Sequence, residues 1–326
     1  MAGRQVAMYF SWSRPDEVAA PLGILDNRFP ALFELRRLFW PRLEKFADPT
    51  KFDQGVGGFL DNIQLANFKL FAELAGSWTG NTVRLAERTT ETGSCKLDAD
   101  FLLDVDTLLI ISFDSSRTQQ QPTDEEIGAI RSFLSNPNHI LFVCPHHDIG
   151  DADDLPEDER LARQEMEFRH HGDPAIPAKQ RFGNFGISLS RALGLPIKNR
   201  FGLRPAKMPD GSPAPIRIAT EYDRLSLLDG VSTLNLHPHL PHFEMVGDSL
   251  SKLDVLARQS VDPTAPPHPF TADGRREFDA LLQTKPGVFA GTVLACDTTT
   301  WSSTAGGVDS LKRFWRNIVF LKRAEA

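Results

Sequence analysis

The chain has 326 residues, of which 41% are hydrophobic and 24% are charged, and its formal net charge is −7. This composition supports a sizeable core and excludes a disordered chain, and the acidic balance argues against a surface built to neutralise nucleic-acid phosphates. Three widely spaced cysteines, Cys95, Cys144 and Cys296, form no C-x-x-C pair and no disulfide framework, which favours a reducing compartment.

Membrane and secretion signals are also missing from the sequence. No apolar run approaches the ~20 residues that a membrane span needs, and the N-terminal stretch MAGRQVAMYFSWSRP lacks the apolar core of a signal peptide. Neither phosphate-binding glycine motif, G-x-x-x-x-G-K-[ST] or G-x-G-x-x-G, is present. The sequence therefore predicts a cytoplasmic protein that acts on a small molecule and contacts neither a membrane nor a nucleic acid.

The N-terminal third begins with a predicted strand over residues 5–11. Residues 12–55 form an aromatic-rich extension whose frequent prolines allow only short helices. This extension is typical of a satellite core that packs on a sheet, and the same aromatic side chains would also suit a substrate wall or an interface with a partner subunit. From Val56 the apolar residues follow a helical stripe that Gly76 is expected to end.

The middle of the chain predicts a βαβ unit. After a strand over residues 82–86, the run DTLLIISF (106–113) is nearly continuously apolar, as in a strand covered on both faces. Thr123 with Glu126 three residues later is a capping box that begins a helix, and a second buried strand, HILFVC (139–144), follows. A strand, a helix and a strand at this spacing predict a parallel pair.

Beyond this unit the alternation is interrupted. Residues 145–181 are acidic and histidine-rich and are interpreted as a loop and helix inserted at the carboxyl end of a strand, in a single elaborated domain over residues 1–326. A helix is predicted over 182–193, and a final helix from Asp309. Further strands are predicted over 231–236, 252–259 and 288–296.

Two stretches carry a resemblance to a known family: DTLLIISFD with PTDEEIGAIRSFLSNPNHILFVC, and the closing strand, Asp297-Thr-Thr-Thr, glycine pair and helix SLKRFWRNIVFL. Over residues 56–145 and 225–322 the chain resembles the class I glutamine amidotransferase-like superfamily, in particular its non-amidotransferase, ThuA-like branch. The resemblance implies an α/β fold with a three-layer, mostly parallel, flavodoxin-like sheet, here with the N-terminal extension and the inserted segment.

The same resemblance implies a nucleophilic cysteine in a G-x-C-x-G elbow. In this chain the corresponding strand ends FVCPHHD, with no flanking glycine and a proline directly after Cys144. The sequence therefore predicts a buried, inert Cys144, and a Cys144-dependent amidotransferase-like hydrolase is a minor alternative. His146, His147 and Asp148 occupy the position of the elbow.

Histidine clusters are the strongest chemical signal, because seven of the nine histidines fall in three short groups. Imidazole and carboxylate are ligands of Zn²⁺ and related metals at sites that keep a position open for water. We therefore predict a divalent transition metal, zinc foremost, with ligands among His146, His147, His170, His171, His237 and His239.

Position along the chain supports this prediction. His146 and His147 follow one predicted strand, His237 and His239 follow another, and Asp114 follows a third, and the carboxyl ends of parallel strands share one edge of a sheet. Glu167 precedes His170 and His171 by three and four residues, so a helix would place them on one face. Asp148, Glu167 and Asp114 are the predicted catalytic carboxylates.

The function predicted from these residues is a metal-dependent hydrolase that uses a metal-activated water on a small organic substrate. The alternative is a non-catalytic binding or scaffold protein of amidotransferase-like fold. Each histidine cluster taken alone also fits hydrogen-bonded or solvent-facing side chains, and Asp297 is interpreted as a turn or cap residue.

Overall fold

The structure is a computed structural model, and it describes residues 3–19, 65–148, 155–171, 184–303 and 306–321. Eleven strands lie in these ranges. They are β1 (Val6–Ser13), β2 (Arg84–Thr90), β3 (Gly93–Ser94), β4 (Thr107–Ser112), β5 (Ile140–Pro145), β6 (Ile197–Leu203), β7 (Arg217–Ile218), β8 (Leu240–Met245), β9 (Leu253–Ser260), β10 (Glu277–Thr284) and β11 (Thr292–Cys296).

The same ranges contain eight α-helices and three short 3₁₀ helices. None of these helices combines the length and the apolar composition that a bilayer crossing requires. The α-helices are α1 (Arg14–Val18), α2 (Ala66–Thr79), α3 (Ala99–Leu102), α4 (Asp124–Phe133), α5 (Glu157–His171), α6 (Asn184–Ala192), α7 (Ser249–Lys252) and α8 (Val308–Val319), and the 3₁₀ helices are Ser116–Thr118, Pro269–Thr271 and Thr298–Trp301.

Nine strands form one mixed sheet in the order β3-β2-β1-β4-β5-β11-β10-β9-β7, and β6 pairs with β8 in a separate ribbon. The run from β2 to β11 is parallel, whereas β3 and the strands from β10 to β7 pair antiparallel. The predicted α/β class is confirmed, but the prediction of a three-layer, mostly parallel, flavodoxin-like sheet is wrong. Seven residues (285–291) join β10 to β11, and so short a connection cannot return a chain to a parallel neighbour.

The predicted βαβ unit is confirmed as β4, α4 and β5, with β4 and β5 parallel. Thr123 Oγ1 accepts a hydrogen bond from the Glu126 backbone N–H at 3.3 Å, and Glu126 Oε2 accepts one from the Thr123 N–H at 2.8 Å. This capping box satisfies two backbone donors that the first turn of α4 would otherwise leave open. The helix therefore begins where the sequence predicts it.

The sheet is buried on both faces along its parallel strands β1, β4 and β5. Successive residues of β1 alternate between two hydrophobic clusters: Met8 and Phe10 pack on one face, and Ala7 and Tyr9 pack on the other. Alternate side chains of a strand point to opposite faces, so a strand covered on both sides needs a continuous apolar run. That requirement explains the sequence TLLIIS of β4.

Two element predictions are wrong. Residues 231–236 are not a strand; the chain there is irregular, and the strand that follows, β8, belongs to the separate ribbon. The helix α2 also runs through Gly76 and ends at Gly80, whose positive φ of 74° suits glycine and whose N–H bonds the Gly76 carbonyl at 2.9 Å. A mid-helix glycine costs stability but does not by itself end a helix.

Several predictions fall partly outside the described residues. These are most of the aromatic-rich extension over residues 12–55, the beginning of the helix predicted from Val56, and parts of the inserted segment over residues 145–181. Within the inserted segment the structure describes α5, which packs against β6.

A close approach at Gly291 yields a stability prediction. The Gly291 N–H bonds the Leu134 carbonyl at 2.8 Å, and a Cβ at Gly291 would lie 2.7 Å from the His139 carbonyl oxygen and 2.9 Å from that of Asn136. These are backbone atoms, so no side chain can rotate away. We expect Gly291→Ala to lower the free energy of unfolding by about 2–3 kcal/mol.

Urea unfolding monitored by circular dichroism measures this effect. Gly128→Ala is the matched control, because a Cβ there meets no atom within 4 Å and the residue lies inside α4. This control should gain about 0.5–1 kcal/mol from improved helix propensity. Equal stability of the Gly291→Ala variant and the wild type would show that the contact is not restrictive.

Candidate functional site

Two histidine clusters that are distant in the chain converge on one point. His146 follows β5, and His237 and His239 lie just before β8. The ring centroids of His146 and His237 are 5.0 Å apart, those of His146 and His239 are 5.5 Å apart, and those of His237 and His239 are 4.1 Å apart. The structure thus brings together the first and third predicted clusters.

The orientation of His146 is set by a buried carboxylate. Nδ1 of His146 donates to Oδ1 of Asp297 at 2.8 Å, and Asp297 directly follows β11, the strand that pairs with β5. Burial raises the pKa of Asp297, but the neighbouring His146 and its hydrogen bond outweigh burial and hold the pKa below its usual range. An ionised Asp297 accepts the hydrogen bond of a proton on Nδ1 and thereby fixes the orientation of the His146 ring.

Asp297 is held in turn by a short polar network. Its Oδ2 accepts a hydrogen bond from the Thr299 backbone N–H at 2.8 Å and a second from the Thr299 hydroxyl. Asn235 Nδ2 donates to Thr299 Oγ1 at 3.1 Å, and Asn235 Oδ1 accepts from the His237 N–H at 3.1 Å. The network therefore connects the carboxylate behind His146 to the backbone of His237.

The electrostatics around His237 favour a neutral imidazole. The residue is partly exposed, but its Nδ1 is buried and makes no hydrogen bond of ordinary geometry within the described residues. Burial, and after it the neighbouring His146, lower the pKa of His237 to about 3, although Asp297 opposes the shift. A neutral imidazole with an available nitrogen is the form that binds metals.

His147 and Asp148 continue the chain at the same place. The His147 ring centroid lies 4.5 Å from that of His146 and 4.7 Å from that of His239, both in edge-to-face geometry. Asp148 is buried, and its backbone N–H donates to the Asn199 carbonyl at 3.0 Å. Asn199 Nδ2 also donates to the His146 carbonyl, so β6 holds both ends of this turn.

The histidine triad is defined as His146, His237 and His239. One nitrogen from each of these rings can be chosen so that all three lie within 4.8 Å of one another. A tetrahedral metal with Zn–N bonds of about 2.0–2.1 Å separates its ligands by about 3.4 Å, so small side-chain rotations bring the triad to ligand distance. Three imidazole ligands at a tetrahedral ion leave one coordination position for water.

The second predicted cluster lies elsewhere. Glu167 on α5 is fully buried, and its Oε1 lies 3.4 Å from His268 Nε2 and 3.8 Å from Arg163 Nε. The side chain of His171 lies outside the described residues. The structure therefore pairs Glu167 with a histidine that the sequence prediction had not singled out.

His170 has a structural role in this second cluster. Its Nδ1 donates to the Pro266 carbonyl at 2.7 Å, and its Nε2 accepts from the Arg204 N–H at 3.0 Å. Both ring nitrogens are thereby used, which leaves no lone pair for a metal. The prediction of His170 as a ligand does not fit this geometry.

Asp114 lies at the predicted edge of the sheet, but its side chain is fully buried. Its Oδ1 accepts hydrogen bonds from Ser11 Oγ and Ser112 Oγ, each at 2.8 Å, and its Oδ2 accepts one from the Phe185 N–H at 3.3 Å. Burial raises the pKa of Asp114 to about 6 despite the two serine hydrogen bonds. These contacts join β1 and β4 to the first turn of α6, whereas the adjacent Phe113 is the residue that contacts His146, with ring centroids 5.4 Å apart.

Cys144 has the surroundings of an inert thiol. It is fully buried, its Sγ lies 3.7 Å from that of Cys296, and it accepts a hydrogen bond from Trp301 Nε1 at 3.2 Å. Burial raises the pKa of the Cys144 thiol well above its usual value. A nucleophilic cysteine needs a thiolate and an approach for substrate, so the geometry argues against the Cys144-dependent alternative.

Three residues of the candidate site were missed from the sequence: Asp297 as the partner of His146, Asn235 and Asn199. The interpretation of Asp297 as a cap is confirmed, since it caps the 3₁₀ helix Thr298–Trp301. The same reasoning about strand ends that selected His146 also applies to Asp297, because it follows the strand VLAC. No comparable signal marks the two asparagines.

Comparison with known proteins identifies no family. No protein-family model and no curated protein matches the sequence. Among solved structures, the chain is similar to the exo-β-1,4-mannosidase Op5Man5 from Opitutaceae bacterium strain TAV5, with 11% sequence identity, a TM-score of 0.32, and coverage of 79% of this chain and 32% of that protein. The chain thus spans about a third of the length of that mannosidase.

These findings overturn the family resemblance. None of the comparisons supports the class I glutamine amidotransferase-like superfamily or its ThuA-like branch, and the resemblance is wrong. Its physical basis was the local sequence β4-α4-β5 and the closing strand with α8, both of which are present. Such units recur in many α/β sheets, and the antiparallel strands β9 and β10 lie next to them here.

The buried Glu167 yields a pH-dependent prediction. Burial raises the pKa of Glu167 from 4.5 to about 8, and Arg163 only partly offsets this. A raised pKa in the folded state means that the stability from the protonated acid is complete below the unfolded value and is lost as the pH rises toward the folded value. Glu167→Gln should therefore match the wild type near pH 5 and exceed it near pH 8 by on the order of 2–4 kcal/mol.

Urea unfolding at both pH values measures the difference. Glu165→Gln is the matched control, because Glu165 lies on the same helix with its side chain 63% exposed. Its difference from the wild type should not change with pH. A Glu167→Gln difference that is equal at both pH values would mean that the acid is already ionised in the folded protein.

Proposed function

We propose that the histidine triad binds a divalent transition metal, zinc foremost, and that the protein is a metal-dependent hydrolase of a small organic substrate. The observation that carries this proposal is the meeting of three imidazoles from two separate segments, one of them oriented by Asp297. A carboxylate behind a histidine is the usual arrangement that orients a metal ligand and raises its basicity.

The triad fits such a metal on the chemistry of its donors. His237 offers a buried nitrogen without an ordinary hydrogen bond in the described structure, and Asp297 orients the His146 ring through its Nδ1. When bound, the metal would lower the pKa of water enough to supply a hydroxide nucleophile for an ester or amide carbon near neutral pH. Three nitrogen ligands and one open position are typical of catalytic rather than structural zinc sites.

The remaining residues act through position and proton transfer. Asp297 keeps the His146 ring fixed, and Thr299 and Asn235 keep Asp297 and the backbone of His237 in place. His147 packs edge-to-face against two triad rings, His146 and His239, and helps to hold their orientation. Asp148, the next residue, is the carboxylate proposed to accept a proton from the attacking water.

Metal analysis of protein purified without a histidine tag tests the binding step. We expect about one equivalent of a transition metal per chain, and at least a tenfold lower content in His237→Ala and in His239→Ala. His139→Ala is the control, since His139 lies just before the amino end of β5 and bonds the Phe133 carbonyl at 2.8 Å. Folded wild-type protein that neither contains a metal nor takes up Zn²⁺ would overturn the proposal.

A second prediction concerns Asp297. Asp297→Asn keeps the shape of the side chain but removes the charge that fixes the His146 proton, so the affinity for Zn²⁺ should fall about 10- to 100-fold. Competition with a chromogenic chelator measures this affinity, and hydrolysis of p-nitrophenyl acetate before and after chelation measures the activity. Thr298→Ala, a change at a neighbouring buried hydroxyl, is the control.

These two readouts separate the parts of the proposal. An unchanged Zn²⁺ affinity in Asp297→Asn would show that the carboxylate does not orient a ligand. Metal binding without any chelator-sensitive hydrolysis would leave a metal-binding protein and would contradict the assignment as a hydrolase.

A further inference from the structure

A basic groove lies at one edge of the nine-stranded sheet. It has a volume of about 710 Å³ and is lined by apolar side chains together with one carboxylate and five cations. The charged lining residues are Lys207, Arg217, Arg258, Arg275, Arg276 and Glu277.

The cations come from separate parts of the chain. Arg217 lies on β7, which is the edge strand of the sheet, and Arg258 lies on the neighbouring β9. Lys207 belongs to a hairpin closed by an antiparallel bridge to Pro213, and Arg275 and Arg276 directly precede β10. The fold thus assembles positive charges that no single helix or loop would collect.

The carboxylates around the groove neutralise it only in part. Arg217 pairs with Glu277 at 2.7 Å, Arg258 with Asp279 at 2.6 Å, and Arg275 with Asp273 at 3.0 Å. No salt bridge joins Lys207 or Arg276 to a carboxylate among the described residues. Five positive charges against three carboxylates leave an excess of two in a protein whose net charge is −7.

The groove also keeps hydrogen-bond donors unused. Arg258 donates a hydrogen bond to Asp279 through Nε. Its two terminal amino groups make no hydrogen bond within the described part of the chain. Arg275 stacks on the Phe270 ring at 4.0 Å, which restricts its guanidinium plane. Guanidinium groups held by one bond or by stacking are preorganised to bind oxyanions with their other N–H groups.

We propose that this groove binds a small molecule that carries a phosphate or sulfate group. The excess of two positive charges matches a tetrahedral dianion, and the volume lies within the roughly 300–1,000 Å³ of small-molecule sites. Charges on an edge strand also discourage pairing with another sheet, but that role needs neither a concave surface nor unused donors.

Calorimetric titration of the full chain with inorganic phosphate, inorganic sulfate and tripolyphosphate tests this inference. Saturable binding of at least one probe at millimolar concentration is expected. The double variant Lys207→Gln with Arg276→Gln should weaken the binding roughly tenfold or more, since it removes the two cations that no salt bridge neutralises among the described residues.

The matched control is Lys96→Gln with Lys312→Gln, which removes the same charge from two exposed lysines outside the groove lining. It should bind as the wild type does, and thermal melting should show both double variants folded. Absence of saturable binding, or equal weakening by both double variants, would overturn the proposal. Tighter binding of a single-stranded oligonucleotide that the groove variant abolishes would also overturn it, because the groove would then bind nucleic acid.

Discussion

The parallel pairing of β5 with β11 is the constraint on which the candidate site depends. The ladder sets Ala295 beside Val143, and the next residues, Cys144 and Cys296, are neighbours whose sulfurs lie 3.7 Å apart. Beyond them the two strands end side by side, so His146 and Asp297 meet although 151 positions separate them. When two neighbouring strands end at the same level, the residues that follow them lie on one edge of the sheet. The register of the backbone pairing therefore determines which side chains can form a hydrogen bond there.

Sequence reasoning found the parts of the fold that follow from local pattern. The apolar run of β4, the capping box of α4 and the parallel β4-β5 pair each depend on neighbouring residues alone. Sheet order and strand direction depend on long-range pairing, and no local pattern shows that β9 and β10 insert antiparallel beside β11. The family resemblance failed for the same reason, because it was built from local units.

The histidine clusters also combine features that the local sequence predicts with features that depend on long-range contacts. His146 and Asp114 were correctly placed at strand ends, and His237 joins His146 even though the strand predicted before it is absent. Composition alone cannot distinguish such a site from histidines like His170, whose two nitrogens are taken up by backbone groups. The difference lies in which donors and acceptors face each ring, and only the folded chain determines that.

The position of β11 also has a consequence for how the protein is made. It is the last strand in the described part of the chain, yet it lies inside the sheet between β5 and β10. Until it arrives, β5 presents an unpaired edge whose residues are all buried in the finished protein. An unpaired, apolar strand edge can pair with strands of other chains, so a chain in which β11 is not yet in place is prone to aggregation. The hydrogen bond between His146 and Asp297 depends on that same pairing of β11 with β5.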